Sequence, residues 1–420
     1  MSERRATARD ERERRPTSRN ERERRPPTSR DERERRPTAR DERERPTHAP
    51  EGKLGVVVLN FGEPSSRADA PEVEDYLERI FLQNRALEEL DAAAADSAAS
   101  RSAGAARARQ LARARAPALL ETYRLMGDSP LNAQADAQAS ALEWALRSRG
   151  WDARTYSAFQ FTSPSVEAQV ARACVDGVES LVALPVYPLC GRTTTVAALD
   201  SVERAIHALE WRPRFSGIAG WHHHPSYLSL RVDGVRAYLA RNLLDIRDAD
   251  TLLYFSVHGT PVKYLDEGNR YDRYVEEHCR DVARALGAER YAVGFQNHTN
   301  RSVDWTRPDN EVRIREAPER RLVVVPISFM HEQSETLAEL DLELRAYTEG
   351  LGKQFHRVPV PHDDPRFAHL LADLVTEALA PVARKAPILT SCGCRRGQGT
   401  WCTNGDRTLP PSPYVRAAAG

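Results

Sequence analysis

The strongest constraint on this chain is a rhythm that begins at residue 55. Short, nearly continuous apolar runs alternate with amphipathic segments. The runs are GVVVLNF (55–61), RTYSAFQF (154–161), SLVALPVYPL (180–189), FSGIAGW (215–221), LLYFSVH (252–258), RYAVGFQ (290–296), LVVVPISF (322–329) and FHRVPV (355–360). A strand with one wet face alternates apolar and polar residues. Continuous runs instead suit parallel strands covered on both faces. Between the runs lie helical stripes, one through Val166, Val170 and Cys174, another through Tyr271, Val275, Cys279, Val282 and Leu286. Gly287 follows the second stripe as its C-cap. Strand and helix in alternation predict an α/β, doubly wound fold. The eight runs divide into two sets of four, with a break near residues 206–214. The expected architecture is therefore two similar α/β domains, residues 52–210 and 211–385, each with a parallel four-stranded sheet, facing each other across a cleft.

Three segments stand outside the rhythm. Residues 1–51 repeat units such as ERERRPTSRN and DERERRPTAR, with no Val, Leu, Ile or aromatic residue from which to build a core, so disorder is expected. A solvated tail is the plainer reading, and an RNA or lipid-headgroup tether the functional one. Residues 86–118 are rich in Ala and Arg and predict an inserted helical hairpin or lid, spanning about 78–118 with its approach. Ile80, Phe81 and Leu82 beside it are candidates for lining a pocket or meeting a membrane surface; an exposed Ala-rich helix is the alternative. Residues 386–420 form a tail with three of the six cysteines. Acidic and basic residues balance at 61 each, which leaves no global field to steer the chain to nucleic acid. There is no apolar stretch of membrane-spanning length and no secretory-type apolar core near the N-terminus. The expected setting is the cytoplasm, with peripheral membrane contact compatible, as monomer or homodimer.

Ligands in open α/β sheets bind beyond the carboxyl ends of the strands. Two titratable groups fall there. His258 ends the run LLYFSVH, and Gly259 and Pro261 turn the chain away behind it. An imidazole takes and releases protons near neutral pH. A polar segment with His331, Glu332, Gln333 and Glu335 follows the run that ends at Phe329. It leads into a helix with the stripe Leu337, Leu340 and Leu344, which Ser334 is placed to cap. The triple His222–His223–His224 reads as a polar loop, because consecutive side chains of an extended chain diverge.

Seven segments, in order, resemble the ferrochelatases: VVVLNFGEPSSRADAPEVEDYLERIF (56–81), MGDSPLN (126–132), FQFTSPSVEAQV (159–170), LPVYPLCGRTTT (184–195), FSVHGTP (255–261), GFQNHTNRSVDWTRP (294–308) and PISFMHEQSETLAELD (326–341). The resemblance runs from residue 53 to about 380. It implies a cleft that binds and bends a free-base porphyrin, protoporphyrin or coproporphyrin, and Fe²⁺ as metal substrate. His258 is then the pyrrole proton acceptor, and Glu335 a proton and metal relay. Phe61, Ser129, Pro130 and Tyr187 fall in segments implied to contact porphyrin. The chain departs from the family at Gln333, where a histidine is usual, and at Asn297 and His298, where Ser and Arg are usual. His331 is a candidate substitute for the missing histidine. A non-catalytic tetrapyrrole- or haem-binding protein on the same fold is the competing expectation. A nucleotide-binding protein ranks last, since no glycine-rich phosphate loop follows any strand.

Cys174 and Cys279 lie on the helical stripes and read as small buried thiols. Cys190 and the C-x-C-x₇-C group Cys392, Cys394 and Cys402 remain. Four thiolates suit a zinc ion or an iron–sulfur cluster. One internal cysteine with three in a C-terminal extension resembles the ferrochelatases that carry a [2Fe–2S] cluster.

Overall fold

The computed structural model describes residues 52–65, 67–84, 98–297, 303–380, 400–402 and 414. The N-terminal repeat and the hairpin's first part lie outside them. In chain order the first half holds β1 (Leu54–Asn60), α1 (Ala70–Gln83), α2 (Ala98–Met126), α3 (Leu131–Ser148), β2 (Ala153–Phe159), α4 (Val166–Val175) and β3 (Ser180–Pro185). A π-helical turn (Arg192–Val196) leads into α5 (Ala197–Ala208), β4 (Arg214–Ile218) and α6 (Pro225–Arg241). The second half holds β5 (Thr251–His258), α7 (Val262–Asp266), α8 (Tyr271–Leu286), β6 (Tyr291–Gln296), α9 (Asn310–Glu316) and β7 (Arg321–Pro326). Then come α10 (Ser334–Leu337), a second π-helical turn (Glu339–Leu344), α11 (Arg345–Gly350), β8 (Gln354–Arg357), α12 (Pro365–Leu379) and β9 (Thr400–Trp401).

All eight apolar runs form strands, in two parallel sheets. Their orders are β2-β1-β3-β4-β9 and β6-β5-β7-β8. The first sheet has five strands rather than the expected four, because β9 from the tail adds in parallel to the edge of β4. β4 itself lies beyond the expected break at 206–214 yet pairs with β3. α12 also returns to the first half, where Phe367, Leu371 and Val375 join Val56, Val58 and Leu146 in one core. The first half thus takes elements from both ends of the described chain.

The alternation of side chains along a strand explains the layering. Val56 and Val58 face the core with α12, while Val57 and Leu59 face the other way. That second face merges with Leu253, Phe255 and Val257 of β5 and Val275, Cys279 and Val282 of α8 into one apolar layer shared by both sheets. Each such fully buried Val or Leu contributes roughly 1.5–3 kcal/mol. α8 ends as its sequence dictates, with Gly287 left-handed at φ 73°.

Cys279 is fully buried as expected, but Cys174 is only half-buried. The buried stripe of α4 is Val166, Gln169, Val170 and Ala173. Steps of four drift by 40° each, so Cys174 stands about 80° around the helix from Val166. α1 and α2 pack on each other and bury Val73, Tyr76, Leu77, Phe81, Ala108, Ala112 and Ala116 with Phe161. The apolar approach to the insertion is therefore largely spent on its own small core: Phe81 is buried, and Ile80 and Leu82 pack against it.

Candidate active site

The carboxyl ends of β1, β3, β5 and β7 deliver the polar groups. His258 is the last residue of β5, and its ring is locked on both sides. Nδ1 lies 2.6 Å from the carbonyl oxygen of Gly259, and Nε2 lies 3.1 Å from Glu335 Oε1. A carbonyl only accepts, so Nδ1 carries a hydrogen. A carboxylate also only accepts, so a second proton sits between Nε2 and Glu335. Burial works against this charge, but Glu335, and behind it Glu339, outweigh it and raise the histidine's pKa. The backbone of His258 is tied down as well: its N–H donates to Ser328 Oγ (2.9 Å), and its carbonyl accepts from the Tyr271 hydroxyl (3.0 Å).

Glu335 sits in the first turn of α10. Gln333 Nε2 donates to its Oε2 at 2.7 Å. The residue that departs from the family pattern thus still touches the central carboxylate, as a neutral donor that cannot release a proton at ordinary pH. His331 does not take the absent histidine's place. It is buried against Gln138 Oε1 (2.7 Å), with its pKa pushed down to about 3 by burial and by His362. Ser334 does not cap the helix either: Gln333 is the N-cap residue, and both the N–H and the hydroxyl of Ser334 donate to Glu63.

Two carboxyl groups absent from the sequence reading belong to the site. Glu63 follows β1, is buried, and accepts hydroxyls from Ser129 and Ser334. Burial, opposed by these hydrogen bonds and reinforced by the charge of Glu335, lifts its pKa to about 7. Glu339 lies one helical turn beyond Glu335, and burial and the Glu335 charge raise its pKa too. Both carried a signal: Glu63 stands beyond the carboxyl end of a buried run, and Glu339 is four residues from Glu335, on the same helical face.

A buried polar chain holds this cluster in place. The Tyr254 hydroxyl donates to Asn310 Oδ1 (2.9 Å), Asn310 Nδ2 to Ser256 Oγ (2.8 Å), and Ser256 Oγ to Gln296 Oε1 (3.1 Å). Gln296 Nε2 then donates to the Glu335 carbonyl (2.9 Å) and to Glu339 Oε2 (3.1 Å). Gly294 makes room for it, since a Cβ there would run into Tyr254 Oη and Asn310 Oδ1. Behind the site, Arg357 pairs with Glu332 (2.9 Å) and Asp341, fixing the segment that leads into α10.

The remaining expected residues fall around the same place, with different partners. Ser129 is engaged by Glu63, and Pro130 is the N-cap residue of α3 behind it. The Tyr187 hydroxyl donates to Gln160 Oε1 (3.0 Å), and burial, then the Glu335 charge, raises its pKa. Phe61 packs on Phe161 with ring centroids 4.4 Å apart. Asn297 is turned toward Thr306 and Asp309. Cys190 is buried after β3, and Cys402 follows β9 and packs against the same apolar layer. Cys392, Cys394 and His298 lie outside the described residues.

The Ferrochelatase family model matches residues 53–379. The ferrochelatase of Synechococcus sp. (strain RCC307) is 36% identical over 273 residues, covering 62% of this chain and 68% of that one. That of Picosynechococcus sp. (strain ATCC 27264 / PCC 7002 / PR-6) is 31% identical over 351 residues, covering 79% and 84%. With the parallel sheets and the ordered motifs in agreement with these matches, the chain belongs to the ferrochelatase family.

Proposed function

We propose that the cleft inserts ferrous iron into a porphyrin, with His258 as the pyrrole proton acceptor and Glu335 as the relay beside it. The observation that carries this reading is the 3.1 Å contact between His258 Nε2 and Glu335 Oε1 at the mouths of β5 and β7. Two pyrrole N–H protons must leave as Fe²⁺ enters, and iron keeps its oxidation state throughout. A base alone would fill after one proton. Here the proton between His258 and Glu335 passes to the carboxylate, which frees Nε2 to accept from a pyrrole nitrogen. Glu339, held beside Glu335 by Gln296, extends the path away from the ring. Phe61 and Tyr187 are proposed porphyrin contacts, with Ser129 and Pro130 shaping the wall through Glu63. Binding a bent macrocycle better than a flat one favours the metal-accepting geometry.

Cys190, Cys392, Cys394 and Cys402 are the proposed ligands of a [2Fe–2S] cluster. The pairing of β9 with β4 supports this, because it brings the tail back to the sheet from which Cys190 emerges. The cluster's chemistry would be electron storage, and no step above uses it.

The test is an anaerobic assay of the full chain with ferrous iron and either protoporphyrin or coproporphyrin, following metalloporphyrin absorbance. Turnover of at least one porphyrin is expected, with His258→Ala slower by about 10²–10⁴-fold. Inactivity of the wild type with both would favour a tetrapyrrole-binding protein without catalysis. Full activity of His258→Ala would remove the base assignment.

A further inference from the structure

We propose a second metal site, away from the His258–Glu335 centre, in which His222, His223 and Glu277 bind a divalent transition-metal ion. The histidines follow β4, and Glu277 lies on α8. The expectation that consecutive histidines diverge holds for an extended chain, but residues 222–223 form a turn. The His224 N–H donates to the Trp221 carbonyl at 3.0 Å and closes it. Trp221 anchors it, fully buried, with its N–H on the Pro188 carbonyl (3.0 Å) and its indole Nε1 on the Pro185 carbonyl (3.2 Å). The two imidazoles therefore stand side by side, ring centroids 4.1 Å apart and planes 39° apart.

Both rings aim Nε2 at one oxygen. His222 Nε2 is 3.5 Å and His223 Nε2 3.0 Å from Glu277 Oε2, and one donor atom from each of the three residues falls within a 4.8 Å set. Donors bound at about 2.0–2.1 Å to a tetrahedral ion are themselves about 3.3 Å apart. The apo spacing is already near that. His223 Nδ1 faces Asp281 Oδ2 at 3.7 Å, so a carboxylate backs the imidazole as it commonly does for a metal-bound histidine. His278 packs beside the set, stacked on Tyr227. It is 1% exposed, its Nε2 has no hydrogen-bond partner among the described residues, and its ring lies 6.0 Å from that of His222.

Two imidazole nitrogens and a carboxylate suit Zn²⁺, Co²⁺ or Fe²⁺; Ca²⁺ and Mg²⁺ prefer all-oxygen shells. Glu277 is six residues along α8 from Tyr271, whose hydroxyl holds the His258 carbonyl, a rise of about 9 Å. An ion here would tie the loop after β4, in one half, to α8, in the other.

The test is Co²⁺ binding to the full chain carrying His258→Ala and Glu335→Gln, which removes the ligands of the central pair. Equilibrium dialysis and ligand-field absorbance compare this protein with one that also carries His222→Ala, His223→Ala and Glu277→Gln. The expected result is the loss of one equivalent of Co²⁺ and of the thermal stabilisation that Co²⁺ confers. His223→Ala alone, on a partly exposed side chain, is the folded control and should weaken that equivalent at least about tenfold. Equal cobalt in both proteins, or His223→Ala binding at wild-type affinity, would overturn the proposal and leave the three residues as a hydrogen-bonded cluster. Because every arm measures binding, failure of the chelatase reading would not change its outcome.

Discussion

Replacing Glu63 by Gln isolates the energetic cost of a buried carboxyl group at the site. Its pKa rises from 4.5 to about 7, with burial the chief cause, despite donors from Ser129 and Ser334. At 1.36 kcal/mol per pH unit, ionising it in the native state costs about 3 kcal/mol. The sign follows from proton counting. Between pH 4.5 and about 7 the native state retains a proton that the unfolded chain has released, so stability falls as pH rises through that window and is flat above it. Glutamine keeps the shape and an acceptor oxygen but does not titrate. Urea denaturation of both proteins, followed by circular dichroism at a series of pH values, gives the difference directly. Groups common to both largely cancel. Wild type should lose about 3 kcal/mol relative to Glu63→Gln between pH 4.5 and 8. A difference that stays flat across that range, or a wild type that gains stability with pH, would refute the assignment of a protonated Glu63 at the cleft.

Two further outcomes probe the site and the tail. Glu335→Gln removes the nearest charge holding the proton on His258, so its pKa should fall, and the acid limb of kcat/KM should move to lower pH by more than about one unit. An unmoved limb would show that another group sets it. The purified 420-residue chain should carry iron and acid-labile sulfide in equal amounts with visible charge-transfer absorbance, lost in Cys402→Ser. Zinc in their place would make the cysteine site a structural one.

The fold was legible because burial on both faces leaves a dense signal. Val56–Leu59 and Leu322–Val325 have no polar interruption, and each became a central strand. What escaped was non-local. β9 is a two-residue strand whose existence depends on the free edge of β4, and no periodicity marks so short a segment. α12 reads as an ordinary amphipathic helix, and nothing in its stripe says which half it covers. At the site, His258 and Glu335 stood out because they end strand units within named motifs. Glu63 also stands beyond a strand end, but what makes it a buried member of the site is its contacts with Ser129 and with Ser334, 271 residues away, which no local pattern shows. The histidine triple lies in a loop after β4, as its sequence suggests, but Trp221 fixes that loop as a turn rather than as extended backbone, a local geometry that no sequence pattern marks.

The crowding of acids around His258 is costly for folding and useful for the proposed chemistry, for the same physical reason. Glu63, Glu335 and Glu339 are packed closely enough to influence one another, and two of them have raised pKa values as a result of burial and mutual repulsion. Apart from the His258–Glu335 pair, their neighbours do not relieve this by ion pairing. Gln333, Gln296, Ser129 and Ser334 offer neutral donors, which fix positions without supplying positive charge. Such a cluster holds protons at neutral pH that bare carboxylates would have released. When a dication enters, its field favours ionised acids and drives those protons outward. A site built from Arg–carboxylate pairs, like that of Arg357 with Glu332 behind it, would already be neutralised and would neither attract Fe²⁺ nor respond to it. Neutral donors around the single His258–Glu335 pair, with Arg–carboxylate pairs kept behind it, therefore suit an exchange of two protons for one metal ion.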